Sequence, residues 1–376
     1  MSWIKSSSII IITTVLLFIS VDYGLTIYNI YPTDEKLSEV IFKGKKLRIQ
    51  DKIFHHGFSP SHRGMQKWSN YLYEVCTDQH SFKVRCSDFS SETEKYFDIA
   101  FIGDSFTEAI GMEYEDSFVG LFADDNPELH VANLGVSSYS PSIYYAKLKY
   151  LLSEGYKFDR VFIFIDISDI QDEAKYLLEN EQVVGYKENN WESKKNKASY
   201  DWVPDDFYHD LSKNLKLSSI VYSLILYGEV SPTSYRIPAR ITRGEWTYNT
   251  KSLAYGLIGV SGAKEKSLNV MEKIYELLRE HDVKMSVGVY PWPNQIFSDK
   301  LIGNQQSIMW ETFCIDKCEY FFDVFKDYSG LVNSSSPLSV YNKYFILGDV
   351  HFSKAGNRLV YERIKQTLGE EFDDTK

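Results

Sequence analysis

The chain has 376 residues, with 41 Lys and Arg against 52 Asp and Glu, and a net charge of −11. That length allows one large domain or two ordinary ones, with ample apolar residues for a core. The acidic balance excludes binding that works by replacing phosphate counterions with basic side chains, so no nucleic-acid partner is expected. Aromatic residues make up 15% of the chain, and they serve either core packing or sugar stacking.

Lys5 precedes the apolar run "IIIITTVLLFIS" from Ile9 to Ser20. Asp22 interrupts it, and "YGLTIYNIY" resumes at Tyr23. The strict run is short for a full span and closer to a signal-peptide core. No small-x-small cleavage site follows. The expectation is therefore an uncleaved N-terminal membrane anchor over residues 1–30, with Lys5 inside and the remainder outside the cytoplasm, in a periplasm or at a cell surface. A cleaved signal peptide is the alternative. Residues 31–48 read as a charged linker, and 49–92 as an N-terminal cover, so that 31–95 precedes the main domain.

Four cysteines are present, Cys76, Cys86, Cys314 and Cys318. "YEVCTDQHSFKVRCSD" reads as strand, turn, strand, so Cys76 and Cys86 can bridge a hairpin. Cys314 and Cys318 can close a small loop at a helix end. An exported compartment suits both pairings. A zinc site at C-x3-C needs two further ligands that the neighbouring sequence lacks, so no metal and no cofactor are expected.

From residue 96 the pattern changes. Apolar runs at 96–103, 130–135, 159–166, 283–290 and 320–325 read as buried strands. Amphipathic stretches at 141–155, 264–282 and 354–370 read as helices between or after them. Apolar strands alternating with helices mean a parallel sheet covered on both faces. One long insertion, 180–262, breaks the alternation inside a main domain spanning 96–376.

In such sheets, sites form beyond the carboxyl ends of the strands. Ser105 follows the first strand in "FIGDSFTEAIG", at a helix start where amides and dipole favour an anion. It reads equally as one half of a capping box with Glu108. Gly135 follows the second strand, where its amide can approach a substrate oxygen or simply make a tight turn. Ser168 follows the third strand in "IDISDIQDE" and can supply a further donor, while Ser168 or Asp169 can equally cap the next helix. Of eight histidines, His130 and His281 start strands at the wrong edge, His209 lies in the insertion, and His55, His56, His62 and His80 lie in the cover. His351, in "LGDVHFSKAGN" before the last helix, has Asp349 two residues earlier. A carboxylate beside an imidazole orients it and stabilises its protonated form, which suits a base. The plainer reading makes Asp349 and Ser353 turn and cap residues.

Together these blocks resemble the SGNH (GDSL-type) hydrolase superfamily over residues 96–369 outside the insertion. Gly103-Asp104-Ser105 matches its first block, Gly135 its second, and Asp349 with His351 its last. The resemblance implies a three-layer α/β/α fold with a five-stranded parallel sheet of flavodoxin-like type. It implies Ser105 as nucleophile, His351 as base with Asp349, and the Ser105 and Gly135 amides in an oxyanion hole, with Asp104 and Asp169 supporting the site. Two blocks depart from the pattern. The third usually reads Gly-x-Asn-Asp but here reads Asp166-Ile167-Ser168-Asp169, so that Ser168 stands in for the oxyanion asparagine. The last is Asp-x-His where Asp-x-x-His is usual, a spacing similar to acetyltransferase relatives that modify bacterial exopolysaccharides. Three functions follow as expectations. One is an exported serine esterase removing acyl groups, chiefly acetyl, from a glycan. Another is an O-acyltransferase using the same Ser105 acyl-enzyme with a membrane acyl-donor partner. The last is a catalytically weak glycan-binding or assembly protein.

Overall fold

In the computed structural model, which describes residues 13–24, 46–68, 71–89, 94–179, 182–185, 215, 217–218, 242–247, 249–297 and 301–369, the five apolar runs become one parallel sheet. Its strands are β6 (Tyr96–Gly103), β7 (Val131–Asn133), β8 (Lys157–Ile165), β11 (Lys284–Val289) and β12 (Phe321–Asp323), in the order β12-β11-β8-β6-β7. Every residue from Val161 to Ile165 is fully buried, so both faces are covered, which is why these strands read as continuous apolar runs and not as alternating ones. The outer layers pair α2 (Phe118–Asp125) with α10 (Lys354–Leu368), and α3 (Pro141–Ser153) with α5 (Gly259–Glu280). Helix α5 begins at Gly259, ahead of the 264 that periodicity indicated. The aromatic content goes into packing between the layers. Phe101, Phe118, Phe122, Phe162, Phe164 and Phe322 form a continuous set of ring contacts through the sheet.

Register decides where the chemistry sits. Gly103 pairs with Phe164, while Val289 pairs with both Ile165 and Asp323. The strands therefore end almost level, and the loops that follow β6, β8 and β11 emerge at one edge.

Two small antiparallel sheets precede this core. One pairs β1 (Arg48–Gln50) with β2 (His56–Phe58). The other joins β3 (Arg63–Trp68), β4 (Tyr71–Thr77) and β5 (Lys83–Val84). Strands β4 and β5 are the expected hairpin, tied by a disulfide between Cys76 and Cys86, and Cys314 is joined to Cys318. Sequence reading missed β1, β2 and β3. A further hairpin, β9 (Tyr176–Glu179) with β10 (Gln182–Gly185), opens the insertion.

The chain divides into two units, residues 1–43 with 200–236, and 44–199 with 237–376. In the first, a helix covers 13–24, and Asp22 on it accepts hydrogen bonds from the backbone of Leu217 and from the backbone and hydroxyl of Ser218. Among the described residues no helix is long and apolar enough to cross a membrane. Residues 1–12 and 25–30 of the expected anchor, 31–45 of the expected linker and most of the insertion at 180–262, with His209, lie outside the described residues.

Candidate active site

Ser105 opens α1 (Ser105–Glu108), a helix of four residues. Its cap is Asp104, whose Oδ1 accepts from the Phe106 amide at 3.0 Å. The Ser105–Glu108 capping box is therefore corrected: Glu108 faces away from the helix start, where Arg48 grips it through both guanidinium nitrogens and the Ser137 amide donates to it at 2.7 Å. The helix stops after one turn because Ala109 adopts a left-handed conformation, φ 58°. A single turn brings little macrodipole to bear on an anion, less than a full helix there would supply. The Ser105 side chain is not on a base. Its hydroxyl donates to Asp104 Oδ2 at 3.0 Å, and the residue is only 7% exposed.

Gly135 has a packing reason to be glycine. A Cβ there would lie 2.6 Å from the Glu108 amide nitrogen and 2.7 Å from the Thr107 carbonyl carbon, so the loop after β7 can approach α1 only without a side chain. Its own N–H donates to Asn133 Oδ1 at 3.0 Å, so the donor expected to face an oxyanion is engaged within its own loop. Asn133 also donates to the Thr107 carbonyl at 2.9 Å, stitching β7 to α1.

Two buried lysines fix the carbonyls of the same loops. Lys83 Nζ donates to the carbonyls of Glu108, Ala109 and Met112. Burial, opposed by the charge of Glu108, pulls its pKa down to about 8. Lys147 Nζ donates to the Leu134 carbonyl at 3.0 Å and to the Tyr139 hydroxyl at 3.3 Å, and burial pulls it to about 7.

His351 and Asp349 are in hydrogen-bond contact, His351 Nδ1 to Asp349 Oδ1 at 2.5 Å, with the His351 amide donating to the same oxygen at 2.9 Å. The loop is held by Tyr341, whose hydroxyl accepts from the amides of Gly348 (2.7 Å) and Asp349 (3.2 Å). It ends where Ser353 caps α10, as the sequence indicated. The other oxygen of Asp349 accepts from Trp68 Nε1 at 2.9 Å, and the Trp68 ring meets the imidazole edge to face at 5.3 Å. Burial alone would raise Asp349, but the hydrogen bonds and charge of His351, with the bond from Trp68, outweigh it and hold the carboxyl below its ordinary value. Sequence reading missed Trp68, because its partner lies 281 positions away. Phe106, the residue after Ser105, packs its ring 5.0 Å from that of His351, so the two loops meet at the same edge of the sheet.

Ser168 is fully buried, and both its amide and its hydroxyl donate to Asp166 Oδ1, at 2.6 and 2.7 Å. It stands at the cap position of α4 (Asp169–Lys175) but makes no capping bond through its side chain, and Asp166 takes that donor instead. Asp166 also accepts from the Asp169 amide at 3.2 Å and, on its other oxygen, from Trp292 Nε1 at 2.6 Å. Asp104, Asp166 and Asp169 each place an oxygen within 4.8 Å of the other two, and all three are buried. The structure thus places Ser105, Gly135, Ser168, Asp104 and Asp169 at one edge, but the Gly135 amide and the Ser168 hydroxyl are spent on Asn133 and Asp166.

The cover histidines have other work. His56 Nε2 meets the Ser137 carbonyl at 2.8 Å and its Nδ1 meets that of His55 at 2.8 Å, while burial foremost lowers its pKa to about 4. His80 pairs with the Tyr156 hydroxyl. Three surface grooves lie away from the loops that carry Ser105 and His351, among them one lined by Tyr145, Lys149, Glu272 and Glu276, and none touches either residue.

No family model and no curated protein matches the chain. Solved structures that it resembles include an acetylxylan esterase from Geobacillus stearothermophilus, at 13% identity over 73% of this chain and 95% of that one, with a TM-score of 0.38. Another is a member of the lipolytic G-D-S-L family from Veillonella parvula, at 11% identity over 70% and 94%, TM-score 0.38. A putative lipolytic G-D-S-L protein from Desulfitobacterium hafniense matches at 14% identity over 72% and 98%, TM-score 0.35.

Proposed function

We propose that this chain is a serine esterase that works through a Ser105 acyl-enzyme. The observation that carries this reading is the Trp68–Asp349–His351 chain, a base already oriented by a depressed carboxylate at the sheet edge where Ser105 stands. For reaction, the Ser105 hydroxyl turns from Asp104 toward His351. His351 takes its proton as the oxygen attacks the ester carbonyl, then gives that proton to the departing alcohol, and water repeats the sequence to release the acid. With the Gly135 N–H engaged, stabilising the oxyanion requires that amide to leave Asn133. Losing one such donor costs about 3 kcal/mol of transition-state stabilisation.

The target is an ester, chiefly O-acetyl, of a glycan outside the cytoplasm. The disulfides Cys76–Cys86 and Cys314–Cys318 support export. Attachment through the N-terminal segment belongs to the same reading. A second reading, acyl transfer to a sugar hydroxyl from a membrane donor partner, draws on the low exposure of the pair, since Ser105 and His351 are each 7% exposed and water has little access. The test is cleavage of p-nitrophenyl acetate by the purified protein. Activity lost in Ser105→Ala and in His351→Ala supports the esterase. Transfer to an oligosaccharide that outpaces hydrolysis supports the second reading. Wild-type protein without either activity leaves only a glycan-binding role.

A further inference from the structure

The three buried carboxylates beside Ser105 are not equally supplied with donors. Asp166 accepts from two amides and a hydroxyl on Oδ1 and from Trp292 on Oδ2. Asp104 accepts from the Phe106 amide on one oxygen and from the Ser105 hydroxyl on the other. Asp169 accepts on Oδ2 from the Tyr144 hydroxyl at 2.9 Å and the Asp166 amide at 3.3 Å, while its fully buried Oδ1 has no partner. The Tyr290 hydroxyl is also buried here, against Asp104, and it feels the charges of Asp104, Asp166 and Asp169 together.

Three full negative charges at this spacing, out of water, repel too strongly to persist. Something positive must enter, either a proton or a cation. A cation would have to share oxygens that already face N–H or O–H groups, whose positive ends oppose it. A proton needs only one idle oxygen, and Asp169 Oδ1 is that oxygen.

We propose that Asp169 is carried as a neutral carboxylic acid at neutral pH, its proton on Oδ1 shared toward Asp104 and Asp166, so that it acts as a positioning residue for the acceptor of the Ser105 hydroxyl. The groups that face it are Asp104 after β6, Asp166 after β8, Tyr144 on α3 and Tyr290 after β11. Burial first, then the charges of Asp166 and Asp104, push the Asp169 carboxyl well above its ordinary range, in agreement with the donor count. Only the consequence for catalysis rests on Ser105 being the nucleophile.

Infrared difference spectroscopy of wild type against Asp169→Asn at neutral pH tests the proton directly. The carbonyl stretch of a protonated carboxyl should be present in wild type and absent in the variant, and no such band in wild type overturns the proposal. Should Asp169→Asn not fold, Tyr144→Phe keeps the test, because removing the donor to Oδ2 should shift the same band, and an unmoved band overturns the assignment. Adding Ca²⁺ or Mg²⁺ should shift the melting temperature of neither wild type nor Asp169→Asn. Stabilisation of wild type alone overturns the proton in favour of a cation. On p-nitrophenyl acetate, Asp169→Asn should keep its rate within about threefold, while Asp169→Ala should lose about tenfold. The reverse order overturns the positioning role. A protein with no esterase activity still gives the infrared and melting results, so failure of the enzymatic reading is told apart from failure of this one.

Discussion

Two acidic centres meet near Ser105, and they solve opposite problems with the same residue type. Asp349 has an imidazole on one oxygen and an indole N–H on the other, and it is held ionised below its ordinary range. Asp169 has two carboxylates for neighbours and one idle oxygen, and it is pushed the other way. Burial acts in the same direction on both. The partners decide the outcome, so charge state here is a property of the loop that delivers the donors and not of the aspartate.

The comparison can be broken most sharply at Asp349. Asp349→Asn should lower kcat on p-nitrophenyl acetate by roughly 10³–10⁴, through loss of the oriented imidazole, while folding stays intact. A loss below tenfold, similar to that expected for Asp169→Asn, would erase the distinction. Next comes the indole donor to Asp166. Trp292→Phe removes the indole donor from Asp166 Oδ2 and leaves a buried carboxylate short of a partner, which should cost about 2 kcal/mol in urea unfolding. Trp68→Phe removes the corresponding donor from Asp349 and should cost about 1 kcal/mol, or roughly fivefold in rate. Its acid behaviour sharpens the point. Because the folded Asp349 pKa lies below the unfolded one, its stabilisation is full above the ordinary carboxylate range and is lost as pH falls through the folded value. Trp68→Phe should raise the acid-unfolding midpoint, and an unchanged midpoint would mean that Trp68 does not hold Asp349 in solution. The smallest effect is a slope. A carboxyl whose pKa rises on folding makes stability fall as pH climbs from the ordinary carboxylate range toward the folded value. Asp169→Asn should therefore gain on wild type between pH 4 and neutrality, by at most about 1.4 kcal/mol per pH unit, in melts followed by circular dichroism.

What the sequence disclosed and what it hid divide along range. The five strands were legible because burial on both faces makes each a continuous apolar run, and the hairpin disulfide was legible because its partners lie ten positions apart. Asp349 and His351 were legible as neighbours two residues apart. The role of Glu108 was misread because a local template, the capping box, competed with an arginine sixty positions upstream, and the tertiary partner won. Gly135 was read as an oxyanion donor or a tight turn, and the close approach to α1 that also requires a glycine there was not legible, because Thr107 and Glu108 lie far from it in sequence. Nothing local marks Trp68 as the partner of Asp349, since an indole N–H can serve any acceptor that the fold brings to it.

The Trp68–Asp349 bond joins the cover to the far end of the chain. Chains are made from the N-terminus, so the Asp349–His351 loop leaves the ribosome long after Ser105 and β6. On the proposed mechanism, a chain cut short of Asp349 would carry Ser105 without its base, and reactivity would wait for that loop to be made.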